Sequence, residues 1–380
     1  MKLALLTDGI FPYVIGGMQK HSYCLARYLA REKVYIDLYH CIPSGAGNKG
    51  ALFTPEEERY IRLIPVDFPE KGFLPGHYLH ESFAYSTRIW EAFQKNDPVD
   101  YVYAKGFTAW KMLDAKSKGA RLPPIGVNFH GYEMFQQAAS LRSRMEQYLL
   151  KGPVRYSMKQ ADHLFSYGGK ITELLLALGV ERQKIIQIPG GIEKEWVVET
   201  PSRPGSVRRF IFAGRYERRK GIEELTRVLD EWSGPEIQFV FAGPIPASGR
   251  IKRSWINYEG RIDTSDRMKI LMRSSDILVC PSHSEGMPNV ILEGMASGLA
   301  IVASDVGAVR EMVEAENGWL TEAGNRMSLQ KAMQEAAGLD TESLFQKRVC
   351  SVKRVREHFL WDILSGVTLH ELELKVQQSR

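Results

Sequence analysis

With 380 residues, 44% hydrophobic and 25% charged, the chain reads as a soluble globular protein too large for one core, so two domains are expected. A formal net charge of +5 leaves room for an anionic substrate or lipid surface and specifies no nucleic-acid partner. Four cysteines without paired spacing, an opening Met1–Leu6 too short for a signal-peptide core, and no apolar run near the ~20 residues of a bilayer span point to a reducing, cytoplasmic setting.

In chain order, Lys2–Thr7 predicts a first strand, followed by a loop through Gly16-Gly17 and an amphipathic helix from Met18 to Arg31. Further strands are expected at Val34–His40, Ile61–Val66, Tyr101–Ala104, Ile125–Phe129, His163–Ser166 and Ile185–Ile188, with helical stretches between most of them. That alternation predicts a doubly wound parallel sheet. Leu79, Phe83, Trp90 and Phe93 fall at helical spacing and read as a core face. Leu141, Met145, Tyr148 and Leu149, with Arg142, Arg144, Lys151, Arg155 and Lys159, outline a basic amphipathic segment. Its spacing suits an anionic membrane surface, but packing against its own domain is the preferred reading. The breaker-rich stretch Thr200–Ser206 reads as a linker, and the pattern restarts at Phe210–Ala213, Gln238–Ala242, Asn257–Glu259, Ile277–Cys280 and Ile301–Ala303. The expected fold class is thus α/β, with two Rossmann-like domains at 1–195 and 196–358.

The loops after these strands carry the chemistry. Glu285-Gly286-Met287-Pro288-Asn289-Val290 leads into an apolar helix that contains Glu293, so two carboxylates stand eight positions apart around a helix start. The unpaired N–H groups near Asn289 and Val290 suit an anion such as a diphosphate, and the two carboxylates can grip hydroxyls on either side of it. Gly16-Gly17 between a strand and a helix lets a phosphate approach the backbone, although Gly-Gly also makes ordinary turns. Arg215 and Lys220, in Gly214-Arg215-Tyr216-Glu217-Arg218-Arg219-Lys220-Gly221, can neutralise a diphosphate, although basic loops are more often simply solvated. His130 follows an apolar strand, at the sheet edge where α/β ligand sites form.

The Glu-x7-Glu stretch and its flanking strands resemble the retaining glycosyltransferases of family 4, which have the GT-B fold of two Rossmann-like domains facing a cleft. The resemblance recurs along nearly the whole chain. It implies that the last segment, about 359–380, crosses back onto the first domain, that the first domain binds acceptor and that the second binds a nucleoside-diphosphate sugar. It also implies a donor site formed by Gly16, Gly17, Arg215, Lys220, Glu285, Gly286, Met287, Pro288, Asn289, Val290 and Glu293. Glu285 would hold the transferred sugar and Glu293 the ribose, Arg218 and Arg219 would be surface residues, and His130, Tyr132 and Glu133 would border sugar and acceptor. The catalytic set implied is Glu285, His130, Arg215 and Lys220.

Pro189-Gly190-Gly191-Ile192-Glu193 departs from the family's Pro-Asn-Gly-Val-Asp and reads as a hinge. The activity so implied is metal-independent transfer from a UDP- or GDP-sugar to a sugar or lipid-linked acceptor, with no cofactor, in surface polysaccharide or glycolipid assembly. It would take place in the cytoplasm, peripheral to the inner face of the membrane. A dinucleotide oxidoreductase is the rival of another class, and it lacks the Gly-x-Gly-x-x-Gly opening. A sugar-nucleotide epimerase of the same fold and a non-catalytic binding partner are the remaining alternatives.

Overall fold

The computed structural model describes residues 1–43, 51–69 and 76–379. Residues 2–187 build a seven-stranded sheet from β1 (Lys2–Leu6), β2 (Tyr35–His40), β3 (Ile61–Pro65), β4 (Tyr101–Lys105), β5 (Ile125–Asn128), β6 (His163–Ser166) and β7 (Ile185–Gln187). Its order is β3-β2-β1-β4-β5-β6-β7, and every neighbouring pair is parallel. A second sheet contains β8 (Arg208–Ala213), β9 (Ile237–Ala242), β10 (Ile256–Gly260), β11 (Ile277–Cys280), β12 (Ala300–Ser304) and β13 (Gly318–Thr321). Its order is β10-β9-β8-β11-β12-β13, again all parallel.

Parallel strands covered by helices on both faces need apolar residues on both sides, which is why β1, β11 and β12 read as near-continuous Leu, Ile, Val and Ala. Each sheet reverses its winding once, between β1 and β4 in the first and between β8 and β11 in the second. Ligands bind at such switch points, beyond the carboxyl ends of the strands. The loop holding Gly16-Gly17 leaves β1, the Arg215–Lys220 loop leaves β8, and the Glu285 loop leaves β11. The fold therefore aims three of the four sequence-marked loops at switch points, and the fourth, with His130, leaves β5.

Short-range pattern missed one strand, β13, whose Gly-Trp-Leu-Thr is too brief and too exposed at Leu320 to show a period. The helix Trp361–Ser379 packs on the Gly17–Arg31 helix, and Trp361, Leu364 and Leu372 join the core of the first sheet. Ser365 Oγ donates to Glu32 Oε1 at 3.0 Å. Arg380, the last residue of the expected segment, lies outside the described residues.

The Leu141–Gln160 helix corrects a packing expectation. Its fully buried residues, Val154, Ser157 and Met158, all lie in its second half. In its first half Leu141, Met145, Tyr148 and Leu149 are 81%, 68%, 78% and 52% exposed, so the apolar stripe faces outward.

Candidate active site

A cleft of about 510 Å³ separates the carboxyl edges of the two sheets. Gly17, His130, Glu133, Arg215, Lys220 and the run Glu285–Val290 all line it. Glu285 is the most constrained of these groups, being 6% exposed. Its Oε1 accepts from Lys220 Nζ at 2.6 Å and from Ser282 Oγ at 2.8 Å, and its Oε2 lies 3.3 Å from Arg219 NH1. Burial by itself pushes the carboxyl pKa up, but Lys220 and Arg219 more than offset it and hold Glu285 below the usual carboxylate value. A buried, ionised carboxylate at the bottom of a cleft results.

Backbone geometry fixes this arrangement. Gly221 adopts φ +68°, and a Cβ there would collide with Pro281 O, so glycine lets the Lys220 loop close on the Glu285 loop. Residues 218–220 form one 3-10 turn, in which successive side chains point about 120° apart. Arg218 consequently turns away to a bidentate pair with Glu224, at 2.6 Å for both contacts.

Arg219 turns into the cleft, which corrects its assignment to the surface. It meets Glu285, the Ser284 carbonyl at 3.1 Å and Glu133 Oε1 at 3.1 Å. Arg215 lines the cleft but is mostly exposed and pairs with Glu217 at 3.1 Å, leaving its guanidinium free to swing toward an incoming anion.

Asn289 opens the helix Asn289–Ala296 directly after Pro288, and no side chain caps its first turn. Pro288, Asn289 and Val290 line the cleft, which brings the positive end of the helix dipole to its wall. Across from them, a Cβ on Gly17 would stand 3.6 Å from Asn289 Nδ2, an ordinary contact, so Gly17 leaves space rather than relieving a clash. Gly16 is the N-cap of the facing helix and lies just outside the cleft lining. Glu293 also lies outside it, in an adjoining crevice of about 20 Å³, where Lys20 Nζ lies 3.3 Å from its Oε1. Lys20 also lies 3.9 Å from Glu193, which pairs with Arg27 at 3.4 Å. The hinge segment thus carries an ion-pair network that its sequence did not announce.

On the first-domain side, His130 stands at φ +58° with its N–H donating to Asn128 Oδ1 at 2.7 Å. Tyr167 OH lies 2.5 Å from His130 Nδ1, while Nε2 is buried without a partner. With the Tyr167 hydroxyl donating to Nδ1, the neutral ring carries its proton on Nε2, a buried donor left without a partner in the protein. Burial pushes the Glu133 carboxyl up, Arg219 pulls it back, and the nearby Glu285 carboxylate adds to the rise. Tyr132 has a different place from the acceptor contact expected of it. It is fully buried, its hydroxyl donates to the Phe165 carbonyl at 3.2 Å, and it supports the loop from below.

Beneath His130 lies a polar cluster with no sequence signal. Lys105, 1% exposed, holds its amine 3.0 Å from His21 Nδ1 and 3.4 Å from Tyr103 OH. Burial holds its pKa well below 10.5, and burial together with the Lys105 charge holds His21 and His130 well below 6.5.

Depressed basic groups resist protonation in the folded state, so the unfolded chain takes up protons first. Stability then falls as pH drops below 10.5 on account of Lys105, and below 6.5 on account of the histidines. Lys105→Met removes the first of these. Thermal unfolding between about pH 9 and pH 7 is expected to show the wild type losing stability relative to Lys105→Met as the pH falls. Parallel curves would contradict a buried, proton-resisting amine.

Two stretches of the chain match family descriptions. Residues 15–196 match "Glycosyltransferase Family 4" and residues 207–338 match "Glycosyl transferases group 1". Similar curated proteins include the alpha-galactosylglucosyldiacylglycerol synthase of Streptococcus pneumoniae, 28% identical over 48% of this chain and 56% of that one. The phosphatidyl-myo-inositol mannosyltransferase of Mycobacterium leprae is 26% identical over 50% of this chain and 53% of that one. The chain thus spans little more than half the length of these two relatives. An uncharacterized glycosyltransferase of Methanocaldococcus jannaschii is 24% identical over 94% of both chains.

Among solved structures, sucrose-phosphate synthase from Thermosynechococcus elongatus superposes with a TM-score of 0.80 at 17% identity, over 100% of both chains. Anabaena HepE in complex with UDP and glucose gives 0.68 at 16% identity, over 98% of this chain and 99% of that one. At these identities the likeness establishes the fold, which is GT-B.

Proposed function

We propose that this chain, a glycosyltransferase of the GT-B fold, moves a sugar from a UDP- or GDP-sugar to a hydroxyl of a sugar or lipid-linked acceptor, with retention of anomeric configuration and without a metal ion. The observation that carries this reading is the buried Glu285 carboxylate between Lys220, Arg219 and Ser282, beside an uncapped helix start and opposite His130. Lys220, Arg219, Arg215 and the first turn at Asn289 supply positive charge where a departing diphosphate would gain negative charge, the task a metal performs elsewhere. Glu285 would orient the transferred sugar and stabilise positive charge at its anomeric carbon. His130 Nε2 would hold a hydroxyl of that sugar, and Glu133 would border the acceptor.

Retention follows from attack on the face that the leaving group vacates. The bond from the anomeric carbon to the diphosphate oxygen breaks, the acceptor oxygen bonds to that carbon, and its proton passes to the departing phosphate. Glu293 would exchange Lys20 for the ribose hydroxyls. The Anabaena structure with UDP and glucose supports a nucleotide-sugar donor, and the two lipid-named relatives support a glycolipid or envelope-glycan acceptor. Incubation with a UDP- and GDP-sugar panel and lipid or oligosaccharide acceptors, with and without EDTA, tests it by proton NMR of the product. Formation of the donor's own anomer in EDTA is expected. The inverted anomer, or activity abolished by EDTA, overturns the mechanism.

The outward stripe of the Leu141–Gln160 helix supports a peripheral membrane position at the cytoplasmic face. Among the described residues no helix is long and apolar enough to cross a bilayer. Leu141, Met145, Tyr148 and Leu149 instead share an exposed face, with Arg142, Arg144, Lys151, Arg155 and Lys159 on the same helix. Apolar insertion together with attraction to anionic headgroups is how such a helix lies in an interface. Co-sedimentation with phosphatidylglycerol vesicles at low salt is expected, and Leu141→Glu with Met145→Glu should abolish it. A wild-type protein that stays in the supernatant overturns this placement.

A further inference from the structure

The catalytic carboxylate is held from two sides, and only one of them belongs to its own domain. Lys220 and Ser282 fix the Glu285 side chain, whereas its main chain is gripped by Gln136 of the first domain. Gln136 Nε2 donates to the Glu285 carbonyl at 2.6 Å and to the Gly131 carbonyl at 2.5 Å, and the Glu285 N–H donates back to Gln136 Oε1 at 3.3 Å. One carboxamide thus pairs with both main-chain groups of Glu285, as a neighbouring strand would.

The contact sits where the His130 and Glu285 loops approach closely. A Cβ on Gly131 would lie 2.8 Å from Gly286 N, and one on Gly286 would lie 2.9 Å from Gly131 N, so the two loops meet backbone to backbone. Gln136 is itself anchored, since Gln147 Nε2 donates to the Glu133 carbonyl at 2.9 Å and reaches the Gln136 carbonyl at 3.4 Å.

We infer that Gln136 is a positioning residue for the transfer reaction, registering the Glu285 main chain against His130 and Gly131 when the two domains close. The inference rests on the donor-site reading above. The nucleoside diphosphate meets Lys220, Arg219, Arg215 and the Asn289 helix start, all on the second domain, so its affinity should not depend on Gln136. Turnover should, because a displacement of about 1 Å at a reacting centre can cost 100-fold. Glutamine alone offers a donor and an acceptor at this reach: methionine keeps the length without either, and glutamate keeps only acceptors while facing two carbonyl oxygens.

Gln136→Met and Gln136→Glu, each compared with the wild type, test this by kcat, donor KM, nucleoside diphosphate affinity and melting temperature. Gln136→Met should lower kcat by about 10–100-fold, with nucleotide affinity within about threefold. Gln136→Glu should be slower still near neutral pH and recover relative to wild type on acidification, as the protonated acid regains a donor for the Glu285 carbonyl. A kcat for Gln136→Met within about twofold of wild type overturns the inference, as does a loss of nucleotide affinity as large as the loss of kcat. A wild-type enzyme inert toward every nucleotide sugar overturns the donor reading itself, a result distinct from either.

Discussion

Glu285→Gln is expected to lower turnover by about 10²–10³-fold while leaving nucleoside diphosphate binding unchanged or tighter. The substitution conserves size and still accepts from Lys220 and Ser282, so what it removes is charge. Two cations are committed to that charge at 2.6 Å and 3.3 Å in the free protein. Neutralising it frees Lys220 and Arg219 for the phosphates, which favours product binding, yet it withdraws the carboxylate that would stabilise the sugar cation as the bond to the diphosphate breaks. A group that only packed or only held the nucleotide would move both quantities in the same direction. Stopped-time transfer assays with isothermal titration of the free nucleotide separate the two. Near-wild-type turnover in Glu285→Gln would remove Glu285 from the reaction.

Lys220→Ala should weaken nucleoside diphosphate binding by about 10–100-fold, the scale of one charge-assisted contact, and should also destabilise the empty protein. The second effect arises because Glu285 is buried and loses its shortest partner, leaving Arg219 to compensate alone. Arg215→Ala provides the contrast: its guanidinium is mostly exposed and paired with Glu217, so its loss should cut donor affinity and leave the melting temperature in place. Melting curves and nucleotide titrations on both variants distinguish these cases. A Lys220→Ala protein with wild-type nucleotide affinity would contradict the phosphate assignment.

The loops that matter were legible because parallel α/β sheets leave few places for a ligand. Apolar runs ending at Cys280 and Ala213, followed by glycine and charge, mark strand ends and switch-point loops without knowledge of distant contacts. The direction of each side chain within those loops was harder to read. Arg218, Arg219 and Lys220 are equivalent in sequence, and only the 3-10 turn sends the first outward and the second to Glu285.

Tyr132 stood one residue from a cleft-lining glycine, yet its left-handed backbone turns the ring into the core. Gln136, Lys105 and His21 carried no signal because their partners lie 149, 84 and 84 positions away. The Leu141–Leu149 stripe shows the opposite failure: the amphipathic spacing was evident, but spacing does not say whether a domain or a solvent-facing surface receives it.

The central claim is that Lys220, Arg219 and the Asn289 helix start form a nucleoside diphosphate site that supplies its own positive charge. Isothermal titration of UDP and GDP into the wild-type protein in EDTA tests this most directly. Saturable binding of one nucleotide that is unaltered by chelation and weakened in Lys220→Ala is the result predicted. Binding that vanishes in EDTA, or no binding by either nucleotide, would contradict it.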